Sequence, residues 1–327
     1  MGRTRAHRRH TRRIKGGRRK KHAVIACVFA FASVTAAAQP ANAPDLGYAP
    51  AAEFFQLPAG TNFGAVSGVA LNSKGHIFVL NRGPQPLMEF DAGGKFVRAL
   101  GGGLLERPHG LRIDAEDNIW IADGGAHIVL KLNPQGRIVM VLGGKGSPGE
   151  WHEAGFLRHF TEPNDVAIGA GGEIYVTQGH GKGDSRVLKF DRDGKFIKTW
   201  GGRGTAAGQF NVPHSIVIDA RGQVYVADRG NKRIQVFDAD GAFLKEWIYF
   251  GTPAGLFLGA EPFIYLANGH HGQIVKLDMN GNIVGMTGKV GKAAGEFGEA
   301  HYLAVTAQGD IYVADTLNWR VQKYVKK

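Results

Sequence analysis

Short hydrophobic runs with alternating apolar and polar positions recur along the chain from about residue 67. Each run is followed by a tight turn, usually with Gly or Asp, and then by a second run with an aromatic or branched centre. Alternation of this kind around such turns predicts antiparallel β-strands joined in hairpins. No long stretch has the periodicity of an amphipathic helix. The pattern therefore predicts an all-β fold.

The paired runs are six copies of one repeat, which begin at residues 67, 109, 164, 214, 256 and 301. The copies read SGVALNSKGHIFVLNR, HGLRIDAEDNIWIADG, NDVAIGAGGEIYVTQG, HSIVIDARGQVYVADR, LFLGAEPFIYLANG and HYLAVTAQGDIYVADT. A third run such as KRIQVFD and a fourth such as FIKTW follow, with a turn glycine between them. Four antiparallel strands that recur roughly every 40–50 residues are typical of a β-propeller blade.

The repeats predict a six-bladed β-propeller over residues 51–327. The last copy ends after three strands, so its fourth strand is expected from the N-terminal side, within residues 51–60. Such a strand would close the ring and remove the open sheet edges. A β-sandwich is the alternative, but it gives no reason for six similar copies. The longer connection at 143–163 is expected to form one rim of a binding cleft.

Charge is concentrated at the N-terminus. The chain of 327 residues has a formal net charge of +12, and eleven Lys and Arg residues without any acid lie in residues 1–22. The rest of the chain therefore carries only about +1. Because the body of the protein is nearly neutral, a nucleic-acid partner is not expected.

An apolar segment, AVIACVFAFASVTAAA at 23–38, follows the basic residues and is short for a transmembrane helix. A basic region, an apolar region and an Ala-rich cleavage site predict a signal peptide over residues 1–38. A linker over 39–50 would then lead to the propeller. We expect an exported protein, periplasmic or secreted, with no stable membrane association after cleavage. A retained membrane anchor is the alternative.

Three copies of the repeat, the second, fourth and sixth, begin with a histidine: His109, His214 and His301. The first strand of a propeller blade lines the central channel, so its first residue lies near one mouth of that channel. The corresponding residues of the other copies are Ser67, Asn164 and Leu256.

Histidines in alternate blades would converge on the propeller axis about 120° apart. Three imidazoles with no ligand opposite them match catalytic zinc, which keeps a fourth position open for water or substrate. Neutral imidazole is a good ligand of Zn²⁺, and the open position permits Lewis-acid activation. We predict that His109, His214 and His301 bind zinc. The alternative is that each is a hydrogen-bonded feature of the repeat.

Two arginines end second strands at corresponding positions, Arg82 in blade one and Arg229 in blade four, and His180 follows the second strand of blade three. Guanidinium groups beside a metal suit an anionic substrate, because arginine binds a carboxylate in a bidentate manner. The alternative for each arginine is a surface salt bridge, for example between Arg229 and Asp228. No Ser-His-Asp signature or glycosidase-like pair of carboxylates is evident.

The repeats resemble NHL repeats, and their ordered set resembles the peptidyl-α-hydroxyglycine α-amidating lyases over about residues 65–325. Segments that carry this resemblance include RPHGLRID, PHSIVID and VADRGNKRIQVFD. The resemblance implies a six-bladed propeller that cleaves a C-terminal α-hydroxyglycine to a peptide amide and glyoxylate. It implies a catalytic zinc and two active-site arginines, which fall on the residues already singled out: His109, His214, His301, Arg82 and Arg229.

The same resemblance implies a structural calcium ion on the backbone carbonyls of Val69 and Leu111, and a separate enzyme that hydroxylates the substrate. Two positions depart from the family pattern. His180, in QGHGKGDSR, stands where the family has its catalytic tyrosine, and Tyr302 stands where it has a calcium-binding Asp. Because histidine can act as a base near neutral pH, we expect His180 to take the catalytic role. The alternatives are that His180 marks a changed substrate or that Tyr302 replaces the missing phenol.

Two other functions stay open at this point. A gluconolactonase-like propeller hydrolase would rely on calcium held by Glu, Asn and Asp in the channel, and the alternating histidines argue against it. A non-catalytic NHL binding module would need no metal. For the lyase, the expected partner is a small molecule or peptide with a carboxylate end.

Overall fold

The computed structural model describes Gly2 and residues 43–51, 53–152, 157–181, 183–248, 251–259 and 261–327. Almost all of the predicted signal peptide and residues 39–42 of the predicted linker lie outside these ranges, so both stay predictions. The residues from 43 onward belong to one compact unit. No helix within the described ranges has the length and apolar character needed to cross a membrane.

Four-stranded antiparallel sheets form six blades, in each of which neighbouring strands pair in a meander. Blades one to three consist of Val66–Leu71, Ile77–Asn81, Leu87–Phe90 and Phe96–Leu100; Pro108–Ile113, Ile119–Asp123, Ile128–Leu132 and Ile138–Gly143; and Pro163–Ile168, Ile174–Gln178, Arg186–Phe190 and Phe196–Gly201. Blades four to six consist of Pro213–Ile218, Val224–Asp228, Arg233–Phe237 and Phe243–Ile248; Leu256–Leu258, Phe263–Asn268, Gln273–Asp278 and Ile283–Thr287; and Ala300–Val305, Ile311–Asp315, Arg320–Lys326 and Tyr48–Ala51. The prediction of a six-bladed all-β propeller is confirmed.

Smaller elements connect the blades. In the described residues these are a 3-10 helix and two short sheets: Arg229–Asn231, Trp151–His152 with Leu157–Arg158, and Lys289–Val290 with Glu296–Phe297. The first strands of neighbouring blades pack side by side around the axis. The turn glycines identified in the sequence have φ of +84°, +84°, +81°, +81° and +88° at Gly94, Gly136, Gly194, Gly241 and Gly281, a region that favours glycine.

An N-terminal strand closes the ring as expected, but its position differs from the prediction. Tyr48–Ala51 pairs antiparallel with Arg320–Lys326, so the closing strand precedes most of the segment 51–60 and begins inside the predicted linker. Phe54 and Phe55 of that segment are partly buried and pack against the core between blades six and one.

The core consists of hydrophobic clusters between adjacent blades. One joins blade one to blade six and includes Val79, Phe90 and Tyr312, while others join each later pair of blades. Each blade therefore needs both of its neighbours, since a single sheet cannot bury both faces. The result is a rigid ring that fixes the residues at the starts of the first strands.

The strand register corrects one assignment in blade five. Leu256 pairs with Leu266, as Ile216 pairs with Val226 in blade four. The residue that corresponds to a channel histidine in blade five is therefore Ala254 and not Leu256. The fifth copy of the repeat is degenerate at this position, so its amino-acid sequence alone does not determine the strand register.

Candidate active site

The structure brings His109, His214 and His301 together at one mouth of the channel. Each is the second residue of its first strand and is at most 3% exposed. The ring centroids form a nearly equilateral triangle, with separations of 4.6 Å, 4.8 Å and 4.9 Å for His109–His214, His214–His301 and His109–His301. The alternation of blades thus produces a compact cluster of imidazoles.

Backbone carbonyls of the odd blades fix the orientation of these three rings. His109 Nδ1 lies 2.8 Å from Asn164 O, and His301 Nδ1 lies 2.8 Å from Ser67 O. His214 Nδ1 lies 3.2 Å from Ala254 O. A carbonyl only accepts, so Nδ1 carries the proton and the lone pair lies on Nε2. Gly110 permits the first contact, since a Cβ there would lie 2.5 Å from the Asn164 oxygen. Such second contacts are typical of metal-bound histidines.

The Nε2 atoms test whether these residues fit a metal ion. His109 Nε2 is buried and has no hydrogen-bond partner among the described residues. His214 Nε2 lies 2.9 Å from Arg229 Nη1, from which it accepts a hydrogen bond. A buried acceptor without a partner costs about 1–3 kcal/mol, a penalty that a cation would remove. Neutral imidazoles fit zinc, provided that His214 Nε2 gives up its hydrogen bond from Arg229.

A fourth imidazole, that of His180, lies against this cluster. Its ring centroid is 4.9 Å from that of His109 and 5.6 Å from that of His214. One ligand nitrogen from each of these three residues lies within 4.8 Å of the others, and this group of described residues does not include His301. The predicted zinc ligands and the group with the closest nitrogens therefore share two members and differ in the third.

All four imidazoles are neutral at physiological pH. Burial lowers the pKa of His109 and His214 well below the usual value. It is also the main reason why the pKa of His301 and that of His180 fall to about 4, and the Arg229 charge adds to the effect at His180. Neutral imidazole binds a cation without first losing a proton.

Arg229 links the histidine cluster to a buried acid that the sequence analysis missed. Its Nη2 donates to Glu299 Oε1 at 2.6 Å while its Nη1 donates to His214. Burial raises the pKa of Glu299, but the neighbouring His301 and Arg229 lower it by more, and the carboxylate stays ionised. Glu299 therefore neutralises Arg229 and holds it beside the ring nitrogens of the histidine cluster.

The salt bridge considered between Arg229 and Asp228 is absent. Asp228 is buried and accepts from Arg233 Nε at 2.8 Å, and its other oxygen accepts from the backbone of Asn211 at 2.7 Å. It thereby anchors the segment that leads into the first strand of blade four. Asp228 ends the second strand of blade four, whereas Arg229 begins the 3-10 helix that follows, so the two side chains have different partners.

Arg82 differs from Arg229 in having no acidic partner. Its Nε donates to Pro108 O at 3.3 Å, and no described carboxylate forms a salt bridge with it. Burial and the nearby Arg107 charge lower its pKa. Arg107, in contrast, pairs with Glu162 at 2.9 Å. Of the three guanidinium groups at this mouth, Arg82 retains the most capacity to bind an added anion.

A repeat position explains the acids and the arginine that the sequence analysis missed. Arg107, Glu162 and Glu299 each lie two residues before the channel residue of their blade, in RPH, EPN and EAH. An alignment of the copies that began two residues earlier would have included all three. Glu162 also holds the His180 loop, because its carbonyl accepts from Gly179 N at 3.1 Å.

A second layer of the channel is built on Arg112, three residues beyond His109 on the same strand. The Nη2 and Nε atoms donate to Asp165 at 2.5 Å and 3.1 Å, and Nη1 donates to Leu256 O at 3.0 Å. Asp165 also accepts from Ser215 Oγ at 2.8 Å. Burial lowers and Asp165 raises the pKa of Arg112, with a net increase. Blades two to five are thereby joined by one charged network.

Tyr302 belongs to this second layer. Its hydroxyl donates to His214 O at 2.7 Å, and its ring lies 5.5 Å from the Arg112 guanidinium. Burial raises its pKa well above the usual value, so the phenol stays protonated. Val69 and Leu111 line a cavity of about 730 Å³ at the opposite mouth, together with Arg112. A calcium ion there stays a prediction, and it would have to bind beside the Arg112 charge.

Comparison with known proteins agrees with the repeat analysis. A model of the NHL repeat matches residues 210–237, which include the first three strands of blade four. The protein is a six-bladed β-propeller with an NHL repeat in blade four.

This propeller resembles amidating lyases and other NHL proteins. It is 34% identical over 193 residues to a probable peptidyl-alpha-hydroxyglycine alpha-amidating lyase, pgal-1, of Caenorhabditis elegans, with 51% of this chain and 53% of the relative covered. It is 33% identical over 196 residues to NHL repeat-containing protein 3 of Mus musculus, with 57% and 53% covered. The chain thus spans about half the length of these curated relatives. The resemblance predicted from the sequence is confirmed, and the propeller is amidating lyase-like.

The similar solved structures support the fold and nothing beyond it. A gluconolactonase from Xanthomonas campestris superposes with a TM-score of 0.60 at 14% identity, covering 81% of this chain and 86% of that one. At this identity, a shared propeller carries no conclusion about chemistry.

Proposed function

We propose that this NHL propeller is an exported, zinc-dependent lyase. It would cleave the C–N bond of a peptidyl-α-hydroxyglycine, or of a similar N-acyl hemiaminal, and release an amide and glyoxylate. The observation that carries the proposal is the set of three buried imidazoles whose Nδ1 atoms bond backbone carbonyls, which leaves the Nε2 atoms as ligands. The name of the nematode relative supports the substrate class.

Zinc would be held by His109, His214 and His301. When bound there, it supplies a Lewis acid that eases loss of the proton from the substrate hydroxyl. The chain's own contribution is to keep the three imidazoles neutral by burial and to hold them in one tautomer. His214 must also release the hydrogen bond from Arg229, since one lone pair on Nε2 cannot serve both.

His180 is the proposed base. It is neutral at physiological pH, so it can accept the hydroxyl proton of the substrate. As that proton leaves, the C–O bond becomes the carbonyl of glyoxylate and the electron pair of the C–N bond moves to nitrogen. His180 then returns the proton to this nitrogen, which yields the neutral amide. The reaction needs no redox cofactor.

Arg82 is the proposed carboxylate-binding residue, because its guanidinium is not neutralised by an acid of the described chain. Arg229 would act beside the reacting bond and is held in place by Glu299 at 2.6 Å. A free carboxylate for calcium, as a lactonase-like function would require, is not evident among the described residues of this mouth. Glu162 and Glu299 are each paired with an arginine.

Export is proposed because a basic segment and an apolar segment form residues 1–38. A separate hydroxylating enzyme would have to supply the substrate, since the reaction starts from a carbon that already carries a hydroxyl group. The expected partner remains a small molecule or peptide with a carboxylate end.

The decisive experiment measures glyoxylate released from an N-acylated α-hydroxyglycine. Zinc-loaded protein is compared with protein treated with a chelator and with the spontaneous reaction. We expect release well above the spontaneous rate, lost on chelation and restored by added zinc. Folded, zinc-bound protein that releases no glyoxylate would contradict the proposed substrate. A lactone offered with calcium serves as the control for the hydrolase alternative.

A further inference from the structure

We propose that His180 is a fourth imidazole ligand of the metal ion in the resting protein. This inference deepens the proposed function and rests on the same metal centre. It assigns His180 a second role, since the side chain would coordinate the metal before it serves as the base. The site would then be closed by four nitrogens in the absence of substrate.

The positions of the rings are the first argument. The centroid of His180 lies 4.9 Å from that of His109, the same separation as between His109 and His301. Nitrogens of His109, His180 and His214 also lie within 4.8 Å of one another. His180 is therefore no more remote from His109 than the predicted zinc ligand His301 is, and it belongs to the group with the closest nitrogens.

The hydrogen bonds are the second argument. His109, His214 and His301 each use Nδ1 on a backbone carbonyl. Within the described ranges, neither ring nitrogen of His180 forms a hydrogen bond, and the side chain is partly buried. An imidazole whose nitrogens have no protein partner keeps a lone pair available for a ligand. A metal ion at the centre of the cluster supplies that partner.

The loop around His180 is the third argument. Gly179 and Gly181 flank it, and Gly179 has a φ of +110° at a point where a Cβ would lie 2.6 Å from Asp184 O. Glycines on both sides let the backbone adopt conformations in which the ring approaches or withdraws. The other three histidines lie on strands of the rigid ring. His180 is therefore the ligand suited to leave when substrate binds, and its free nitrogen can then accept a proton.

Blade five contains a matched control. His270 follows Asn268-Gly269 as His180 follows Gln178-Gly179, so both occupy the same loop position after a second strand. The side chain of His270 is 56% exposed, however, and it is outside the group of close nitrogens. Removing His270 deletes a histidine from the same mouth without deleting a ligand.

Metal affinity is the first measurement, made on the full protein by zinc competition with a chromophoric chelator. Loss of a residue that only orients a metal ligand typically costs 10–100-fold, so loss of a ligand in His180→Ala should weaken zinc binding by at least about 100-fold. His270→Ala should bind zinc as the unchanged protein does. Circular dichroism of the metal-free variants checks that each is folded.

The visible spectrum of the cobalt-substituted protein is the second measurement. A site with three imidazoles and water changes its spectrum with pH, because the water ionises near neutral pH. We expect the unchanged protein to give a spectrum independent of pH in this range. His180→Ala should give a pH-dependent spectrum that added imidazole converts back.

Equal zinc affinities for His180→Ala and His270→Ala, or a pH-dependent spectrum of the unchanged protein, would overturn the proposal. Neither readout depends on turnover, so this result is separate from that of the glyoxylate assay. A pH-independent cobalt spectrum without glyoxylate release would support the fourth ligand and reject the substrate. Glyoxylate release with a pH-dependent cobalt spectrum would support the substrate and reject the fourth ligand.

Discussion

The two layers of the central channel use buried polar residues in opposite ways. At one mouth, three imidazoles are oriented by carbonyls, and the Nε2 of His109 has no partner among the described residues. Three residues further along the same strand, Arg112 donates to Asp165 and Leu256, and Asp165 accepts from Ser215. Satisfied polar groups stabilise a fold, whereas an unsatisfied one needs another explanation.

Charge separates the two layers as well. Burial lowers the pKa of the histidines and keeps them neutral. The second layer contains a full positive and a full negative charge on Arg112 and Asp165, joined by two hydrogen bonds. The neutral histidine layer can bind an added cation. In the second layer, the charges of Arg112 and Asp165 neutralise each other. The comparison supports the proposal that the first layer binds the metal ion, and it indicates that the second layer holds the blades together.

The largest effect is expected from His109→Ala. This variant removes the imidazole at the centre of the cluster, and a Lewis acid is worth several kcal/mol to the reaction, so glyoxylate release should fall by at least about 1000-fold. Zinc content after gel filtration should fall with it. His76→Ala, which removes a histidine paired with Glu89 in blade one, is the control and should change neither quantity.

The next largest effect is expected from Arg112→Leu, and it concerns stability. The change leaves Asp165 buried and unpaired, which should cost roughly 3–5 kcal/mol of unfolding free energy in urea. Replacing Asp165 with Asn in the same chain should recover part of this loss. Zinc affinity should stay close to that of the unchanged protein. A parallel loss of zinc binding would mean that the two layers are not separate in function.

A smaller effect separates the two predicted arginines. Arg82→Gln should raise the KM about 10–100-fold with little change in kcat, since a hydrogen bond to a charged group contributes about 1.5–3 kcal/mol. Arg229→Gln should lower kcat instead, because Arg229 contacts His214 and Glu299. Zinc should bind this variant more tightly, as His214 Nε2 is no longer engaged. Identical effects of the two changes on KM would contradict the distinction.

Much of the fold followed from the sequence, because six copies with strand periodicity allow few other architectures. The errors were local. The closing strand begins at Tyr48, whereas Phe54 and Phe55 of the predicted segment pack against the core, and the register of blade five places Ala254 and not Leu256 at the channel position. Both errors concern segments where the repeat is degenerate and where only packing decides.

The site was less accessible to sequence reasoning. The histidines and arginines could be found because they share repeat positions, but their partners could not. Glu299 lies 70 residues from Arg229 in sequence and Asp165 lies 53 residues from Arg112, and only the packing of the blades around the axis brings each pair together. The proximity of His180 to His109 depends likewise on a loop conformation that its glycines permit but do not prescribe.

The smallest effect is expected from Tyr302→Phe, which tests whether this phenol belongs to the second layer or to the chemistry. The change removes the hydrogen bond to His214 O at 2.7 Å and should cost about 0.5–1.5 kcal/mol of stability. Glyoxylate release should be almost unchanged, because a protonated phenol bonded to a backbone carbonyl is not available as a base. His180→Ala, measured beside it, should lose most activity. If Tyr302→Phe lost as much, the phenol and not His180 would carry the proton, and the division between the layers would fail.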